Sequence, residues 1–348
     1  MAEIDLTNDT SSPEALAAKF ERHQHLLPVL AEDLPPQPQP TWPPLDAAAA
    51  LDRAKGCLLG LAIGEAIGSA VEYLPRGGFD EVTGPRGGGP LNLAPGEWTD
   101  GTAMALCLGR SLIGSETVEQ YDFMSRLAAW LTQGEHTVHG QAMAVGDTTR
   151  AAIERFLQDD EPSAGPVDGA SAGNGSLIRL APLALFSRGD GGLARFWSGK
   201  QSRATHGTLE CLDACELFAA QLVDALAGAD KAAATRPRVM QLAPNALAIN
   251  GGDWKTKSKG QIRSSAYVID TLEAALWAIW RGANFRDAVL RAVNLGGDAA
   301  GLGAVAGQLA GALYGASGIP AEWLALLARR DEIEQMAADL LKAGTEAR

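Results

Sequence analysis

Positive charge is scarce in this chain: 29 Lys and Arg stand against 42 Asp and Glu in 348 residues, a net charge of −13 at pH 7. A field of that sign repels the phosphate backbone that dominates nucleic-acid affinity, which argues against duplex DNA or RNA as a partner. A small anionic ligand stays compatible, because a local nest of backbone N–H groups overrides the global field. Cysteine is also scarce. Cys57, Cys107, Cys211 and Cys215 lie in apolar helical runs without a Cys-x-x-Cys pair, and read as buried thiols, not as a disulfide framework or a zinc site. The N-terminus lacks the basic and apolar regions of a secretory signal, so a cytoplasmic protein is expected. Sustained period-two runs of β-branched residues are missing too, which argues against a sheet-based fold.

What remains is helix. Apolar residues recur at three- and four-residue spacing over 102–113, 121–132, 209–227, 271–282, 285–294, 302–315 and 321–342. Residues 1–46 differ from the rest: a helix candidate at 13–31 precedes the proline tract at 35–44, an extended spacer that reads as a tether, packed on the body or loosely ordered, or as an arm for a partner, with Trp42 favouring docking. The expected organisation is an N-terminal extension over 1–46 and one all-α domain over 47–348.

Two helices carry ladders of glycine, Gly56, Gly60, Gly64 and Gly68 in one and Gly303, Gly307, Gly311 and Gly315 in the other. Glycine inside a helix costs ~1 kcal/mol relative to alanine, so very close helix packing is the expected compensation. A membrane reading of the ladders fails because Lys55 and Glu65 leave a short uncharged run between them, well below the ~20 residues a span requires.

Two segments open apolar helical stretches: Trp98-Thr99-Asp100-Gly101-Thr102 and Gly296-Gly297-Asp298-Ala299-Ala300-Gly301. They resemble the Trp-Thr-Asp-Asp-Thr and Gly-Gly-Asp-Thr-Asp-Thr metal arms of the ADP-ribosylglycohydrolase family. The resemblance runs over roughly residues 53–326. It implies a compact, orthogonal all-α helical bundle. Gly64-Glu65 through Glu72 resembles the family's Gly-Asp-Ala-x-Gly-x-x-x-Glu, with Glu65 in place of the usual Asp. Helical spacing would put Glu65 and Glu72 on one face, ~10 Å apart. The resemblance implies catalytic roles for Glu65, Glu72, Asp100 and Asp298, and metal-ligand roles for Thr99, Asp100 and Asp298.

Gly101, Ala300 and Gly301 stand where the family's pattern has oxygen ligands. Mg²⁺ takes ~6 oxygens in near-octahedral geometry. The expectation is therefore no metal or one weakly bound Mg²⁺, and not a dinuclear Mg²⁺ or Mn²⁺ centre.

Ser171-Ala172-Gly173-Asn174-Gly175-Ser176 before Leu177-Ile178-Arg179 resembles the family's phosphate and ribose cradle, where glycines let backbone N–H groups approach an anion. The same resemblance implies substrate contacts from Gly146, Thr148, Gly173, Asn174, Gly175, Ser176 and His206, with Tyr267 stacking on the adenine. The leading expectation is a hydrolase that removes ADP-ribose, or a related modification, from a protein side chain, arginine being favoured. The alternatives are a non-catalytic binder of ADP-ribose or ADP-ribosylated protein, and an immunity protein that blocks an ADP-ribosylating toxin or effector.

Overall fold

The structure is a computed structural model that describes residues 42–346. The helix candidate at 13–31 and most of the proline tract lie outside the described residues. Asp46 begins the first helix, α1 (Ala47–Ser69), by accepting a hydrogen bond from the Ala49 N–H at 2.7 Å, the ordinary role of an N-cap carboxylate. There follow α2 (Asp100–Ser115), α3 (Gln120–Gln133), α4 (Asp147–Asp159), α5 (Gly175–Ile178), α6 (Ala181–Phe186), α7 (Gly191–Arg203) and α8 (Leu209–Leu226). The second half adds α9 (Lys231–Ala234), α10 (Pro244–Gly251), α11 (Val268–Arg281), α12 (Phe285–Val293), α13 (Ala299–Tyr314), α14 (Ala321–Leu324) and α15 (Arg330–Glu346). Among the described residues no strand forms, and pairing is limited to isolated bridges at Gly88 with Leu93 and Gly173 with Tyr267.

The two glycine ladders face each other. Gly56, Gly60 and Gly64 of α1 meet Gly311, Gly307 and Gly303 of α13, so the helices run antiparallel, and Gly68 ends the row against Ala299. A Cβ at any of these glycines would overlap a backbone carbonyl of the partner helix. Gly315 lies past the end of α13, at φ +75°, where its Cβ would overlap the Asp52 carboxylate. Backbone contact along the whole seam is what offsets the low helix propensity of the glycines. It also fixes the site, because the C-terminal end of α1 is carried to the N-terminal end of α13.

Ala47–Val71 is long and apolar enough to cross a membrane by length and composition, its most apolar 18-residue window having a mean hydropathy of 1.4, yet 94% of that window is buried inside the protein. It is the core helix. Around the pair, α11 and α12 pack on α13, α15 packs on α1 and α6, and α7 packs on α8. Trp42 docks as its position in the sequence suggests, with its indole N–H 3.5 Å from Asp224 and the Arg236 guanidinium over its ring.

The periodic stretch 321–342 is not one helix. It breaks between α14 and α15, where Arg329 takes φ +55°. The break is fastened to the segment before α2: Ala328 N–H donates to the Gly96 carbonyl at 3.0 Å and Trp98 Nε1 donates to the Ala328 carbonyl at 2.9 Å. Apolar periodicity does not register such a break, because both halves keep their inward face.

Candidate active site

Helix α2 begins without help from its own N-cap, Thr99, whose side chain makes no capping bond to the helix. Glu65 of α1 supplies the cap. Its Oε1 accepts from Thr99 Oγ1 at 2.8 Å and Gly101 N at 2.9 Å, and its Oε2 accepts from Thr102 N at 2.9 Å and Thr102 Oγ1 at 2.5 Å. A carboxylate that is 1% exposed is stable there because four donors and the positive end of a helix face it. Gly101 is part of the arrangement, since a Cβ at 101 would come within 3.1 Å of Glu65 Oε1.

The geometry gives Glu65 a structural part in place of the expected catalytic one, because both its oxygens are already engaged. Glu72 is corrected in another way. Helix α1 ends at Ser69, so Glu72 lies on the following turn and not on the helical face of Glu65. The turn swings its Oε2 onto the Ala300 N–H at 2.7 Å, at the start of α13, and sets its carboxyl in the same cavity wall as Asp298.

Asp298 is held from the other side by Asn174, whose Nδ2 donates to Oδ2 at 2.6 Å and also to Thr271 Oγ1 at 2.9 Å. A Cβ at Gly301 would overlap Asp298 Oδ2, so the missing side chain at 301 leaves the space that Asp298 occupies. Gly296 and Gly297, both at φ +69°, form the sharp approach that no β-carbon tolerates well. Asp100, half-buried at the start of α2, completes the group. Burial and the neighbouring Asp298 push the Glu72 carboxyl up to about 9. Burial, then Glu65 and Asp298, hold Asp100 well above the carboxylate range, and burial raises Asp298. Like charges that close do not all ionise, so the cluster retains protons at neutral pH.

These carboxyls line a cavity of about 200 Å³ that Glu65, Glu72, Asp100, Asn174 and Asp298 share with Tyr73. An adjoining groove of about 650 Å³ includes Tyr73, Ala266 and Asp298 in its own wall.

The cradle residues divide between wall and support. Gly146, the N-cap of α4, lines the cavity with no side chain over the free N–H groups of that helix, and Thr148 is half-buried in its first turn. Gly173 bridges to Tyr267, and Asn174 N–H donates to the Ala266 carbonyl at 3.0 Å. Ser176 departs from its expected substrate contact: it is fully buried, with its hydroxyl accepting from Ser202 Oγ at 2.8 Å. His206 is likewise beneath the cradle, 2% exposed, with Nδ1 2.7 Å from Thr205 Oγ1. Burial drives its pKa down to about 3, and a Cβ at Gly175 would sit 2.7 Å from its ring, so it is a neutral floor under the glycine loop. Tyr267 is half-buried, its hydroxyl 3.1 Å from Asn245 Nδ2. It lines neither the cavity nor the adjoining groove.

The oxygens around Asp100 and Asp298 do not fit a two-ion centre. Gly101 and Gly301 bring no side-chain oxygen, Ala300 offers only an N–H already given to Glu72, and Glu65 is saturated by its four donors. Among the described residues, no group of three or more His, Cys, Asp or Glu side chains is arranged to hold a metal ion.

The ADP-ribosylglycohydrolase family model matches residues 46–348. The chain belongs to that family. It is 44% identical, over 95% of both chains, to a Pseudomonas putida (strain GB-1) protein named ADP-ribosylarginine hydrolase Tri1. It is also 36% identical to a Rhodospirillum rubrum ADP-ribosyl-[dinitrogen reductase] glycohydrolase, over 85% of this chain and 98% of that one. A solved structure described as an ADP-ribosylglycohydrolase-related protein complex superposes with a TM-score of 0.76 at 40% identity, covering 85% of this chain and 99% of that chain.

The expectations of an ADP-ribosylglycohydrolase fold and of a hydrolase of that family stand. Within this family site, sequence reasoning missed Thr102, which completes the Glu65 cap, and Tyr73, which stands at the cavity wall. Only the left-handed φ of Tyr73, +63°, marks it out, and that is invisible in a sequence.

Proposed function

We propose that the chain removes ADP-ribose from an arginine side chain of a modified protein, using the paired carboxyls of Glu72 and Asp298. The observation that carries this reading is their shared place in the wall of one cavity at the end of the glycine seam, Glu72 held by the Ala300 N–H and Asp298 by Asn174, with Gly146 at the N-terminus of α4 in the same wall. The name of the Pseudomonas putida relative, ADP-ribosylarginine hydrolase, supports the same substrate class.

Glycosidic hydrolysis proceeds through an oxocarbenium-like state, and one retained proton next to an ionised neighbour supplies both things it needs. The Glu72 carboxyl, kept protonated by burial and by Asp298, gives its proton to the departing guanidine nitrogen. The electron pair of the C–N bond leaves with that nitrogen. The ionised member of the pair faces the positive anomeric carbon, water adds there, and its proton returns to the carboxyl cluster. Glu65 takes no part except to hold Thr99 and Asp100 in place.

Thr99, Asp100 and Asp298 support one weakly held Mg²⁺ at most, and none of these steps is routed through it. The free N–H groups of α4 beside Gly146 suit the diphosphate. An ADP-ribosylating toxin or effector acting in the cytoplasm is the proposed source of the modified arginine. The test is release of ADP-ribose from an arginine-ADP-ribosylated protein, with and without Mg²⁺. Release that Glu72→Gln abolishes supports the reading.

The empty ligand positions at 101, 300 and 301 favour a second reading, a binder that holds ADP-ribose without cleaving it. Tight binding of ADP-ribose by a wild-type chain that releases none would select it.

A further inference from the structure

Tyr73 is costly where it stands. It takes φ +63°, a left-handed conformation disfavoured for a bulky side chain, and the residue is 69% exposed, so packing does not compensate. Its backbone is locked all the same: Tyr73 N–H donates to the Gly297 carbonyl at 2.7 Å, and Gly297 N–H donates back to the Leu74 carbonyl at 2.8 Å. Arg76 fastens the same turn from below by donating to the carbonyls of Leu295, Lys259 and Ile262 at 3.2, 2.5 and 2.6 Å. A strained, exposed aromatic held this firmly points to work outside the fold.

Its position indicates the work. Tyr73, Ala266 and Asp298 are the residues common to the carboxyl cavity and the groove, and among the described residues Tyr73 is the only aromatic side chain lining either one. The phenol lies within the field of Glu72, Asp298, Asp100 and Asp147. The other acidic group of the groove, Asp270, is already engaged by Arg263 Nε at 2.9 Å and Ser265 Oγ at 2.7 Å. A modified side chain that runs from an anomeric carbon in the cavity into the groove passes this junction. For arginine that side chain carries a planar cation, which an aromatic face beside carboxyl groups attracts, whereas a serine- or cysteine-linked modification carries no charge there.

We infer that Tyr73 is a specificity-determining residue, whose ring stacks on the guanidinium of the modified arginine where it passes from the carboxyl cavity into the groove. The inference rests on the proposed substrate class and adds the contact that selects it. The test measures KM and kcat for an arginine-ADP-ribosylated peptide, with calorimetric affinities for that peptide, a serine-ADP-ribosylated peptide and free ADP-ribose. Full-length wild type, Tyr73→Phe and Tyr73→Leu are compared, with thermal unfolding as the folding control.

Tyr73→Leu is expected to weaken the arginine peptide roughly 3- to 20-fold, in KM and in affinity, with kcat within about twofold and with the serine peptide and free ADP-ribose unchanged. Tyr73→Phe should stay within about twofold of wild type. An unchanged affinity for the arginine peptide in a folded Tyr73→Leu protein overturns the inference, as does an equal loss for free ADP-ribose. A wild-type chain that releases no ADP-ribose would defeat the hydrolase reading alone, since the affinities still report on the ring.

Discussion

The upstream arm around Asp100 and the downstream arm around Asp298 have both lost side-chain oxygens, yet the vacated space is used differently. At Gly101 the space holds Glu65, a carboxylate with four donors at the start of a helix. At Gly301 it holds Asp298 itself, which shares the cavity wall with Glu72. The first arrangement has no capacity left for chemistry and much for stability. The second is a pair of carboxyls in proton competition, where burial makes the charged forms costly. Similar departures from a family pattern have therefore produced a strut on one side and a reactive pair on the other.

The comparison depends on the seam that sets the two arms side by side, and breaking the seam should have the largest effect. Gly60→Ala or Gly307→Ala places a methyl group on a partner carbonyl. The helices must part, and the expected loss is at least about 3 kcal/mol, read by denaturant unfolding, despite the ~1 kcal/mol gain in helix propensity. A methyl group at Gly77 would meet nothing within 4 Å, but the residue sits at φ +77°. Gly77→Ala therefore serves as the contrasting control, with a smaller loss from backbone strain alone.

Removing the strut comes next. Glu65→Gln replaces one acceptor oxygen by an NH₂ facing N–H donors, and should cost about 2–3 kcal/mol of stability. Gly301→Ala sharpens the other side: the methyl group displaces Asp298, and kcat should fall roughly tenfold with a stability change below about 1 kcal/mol.

A separate check on the downstream pair is pH dependence. The Glu72 carboxyl rises from 4.5 to about 9 on folding, so the folded chain binds more protons than the unfolded one between those values. Stability from this group is complete below about pH 4.5 and is lost as pH climbs towards 9. The melting temperature of wild type should thus decline across that window, and Glu72→Gln should flatten the decline.

Much of the fold was legible because its signals are local. The glycine ladders at four-residue spacing announced a close helix pair, and the segments at 98–102 and 296–301 announced what would meet at its end. What escaped depends on where a chain stops being regular. Helical spacing was extended through Glu72, but α1 ends three residues earlier, and that termination aims the carboxyl at Ala300. Motif matching grouped Ser176 and His206 with Gly173 and Asn174, although only the fold tells the wall of a cavity from the layer beneath it. The Glu65 cap spans 36 residues to Gly101, a pairing with no period to reveal it.

The most direct test sets Glu72→Gln beside Glu65→Gln in release of ADP-ribose from an arginine-modified protein, with melting temperatures measured on the same samples. The account predicts that Glu72→Gln lowers kcat by about 10²–10⁴-fold while the protein stays as stable as wild type or more so, and that Glu65→Gln melts earlier but keeps most of its turnover when folded. Full turnover by Glu72→Gln, or loss of turnover in a stable Glu65→Gln protein, would contradict it.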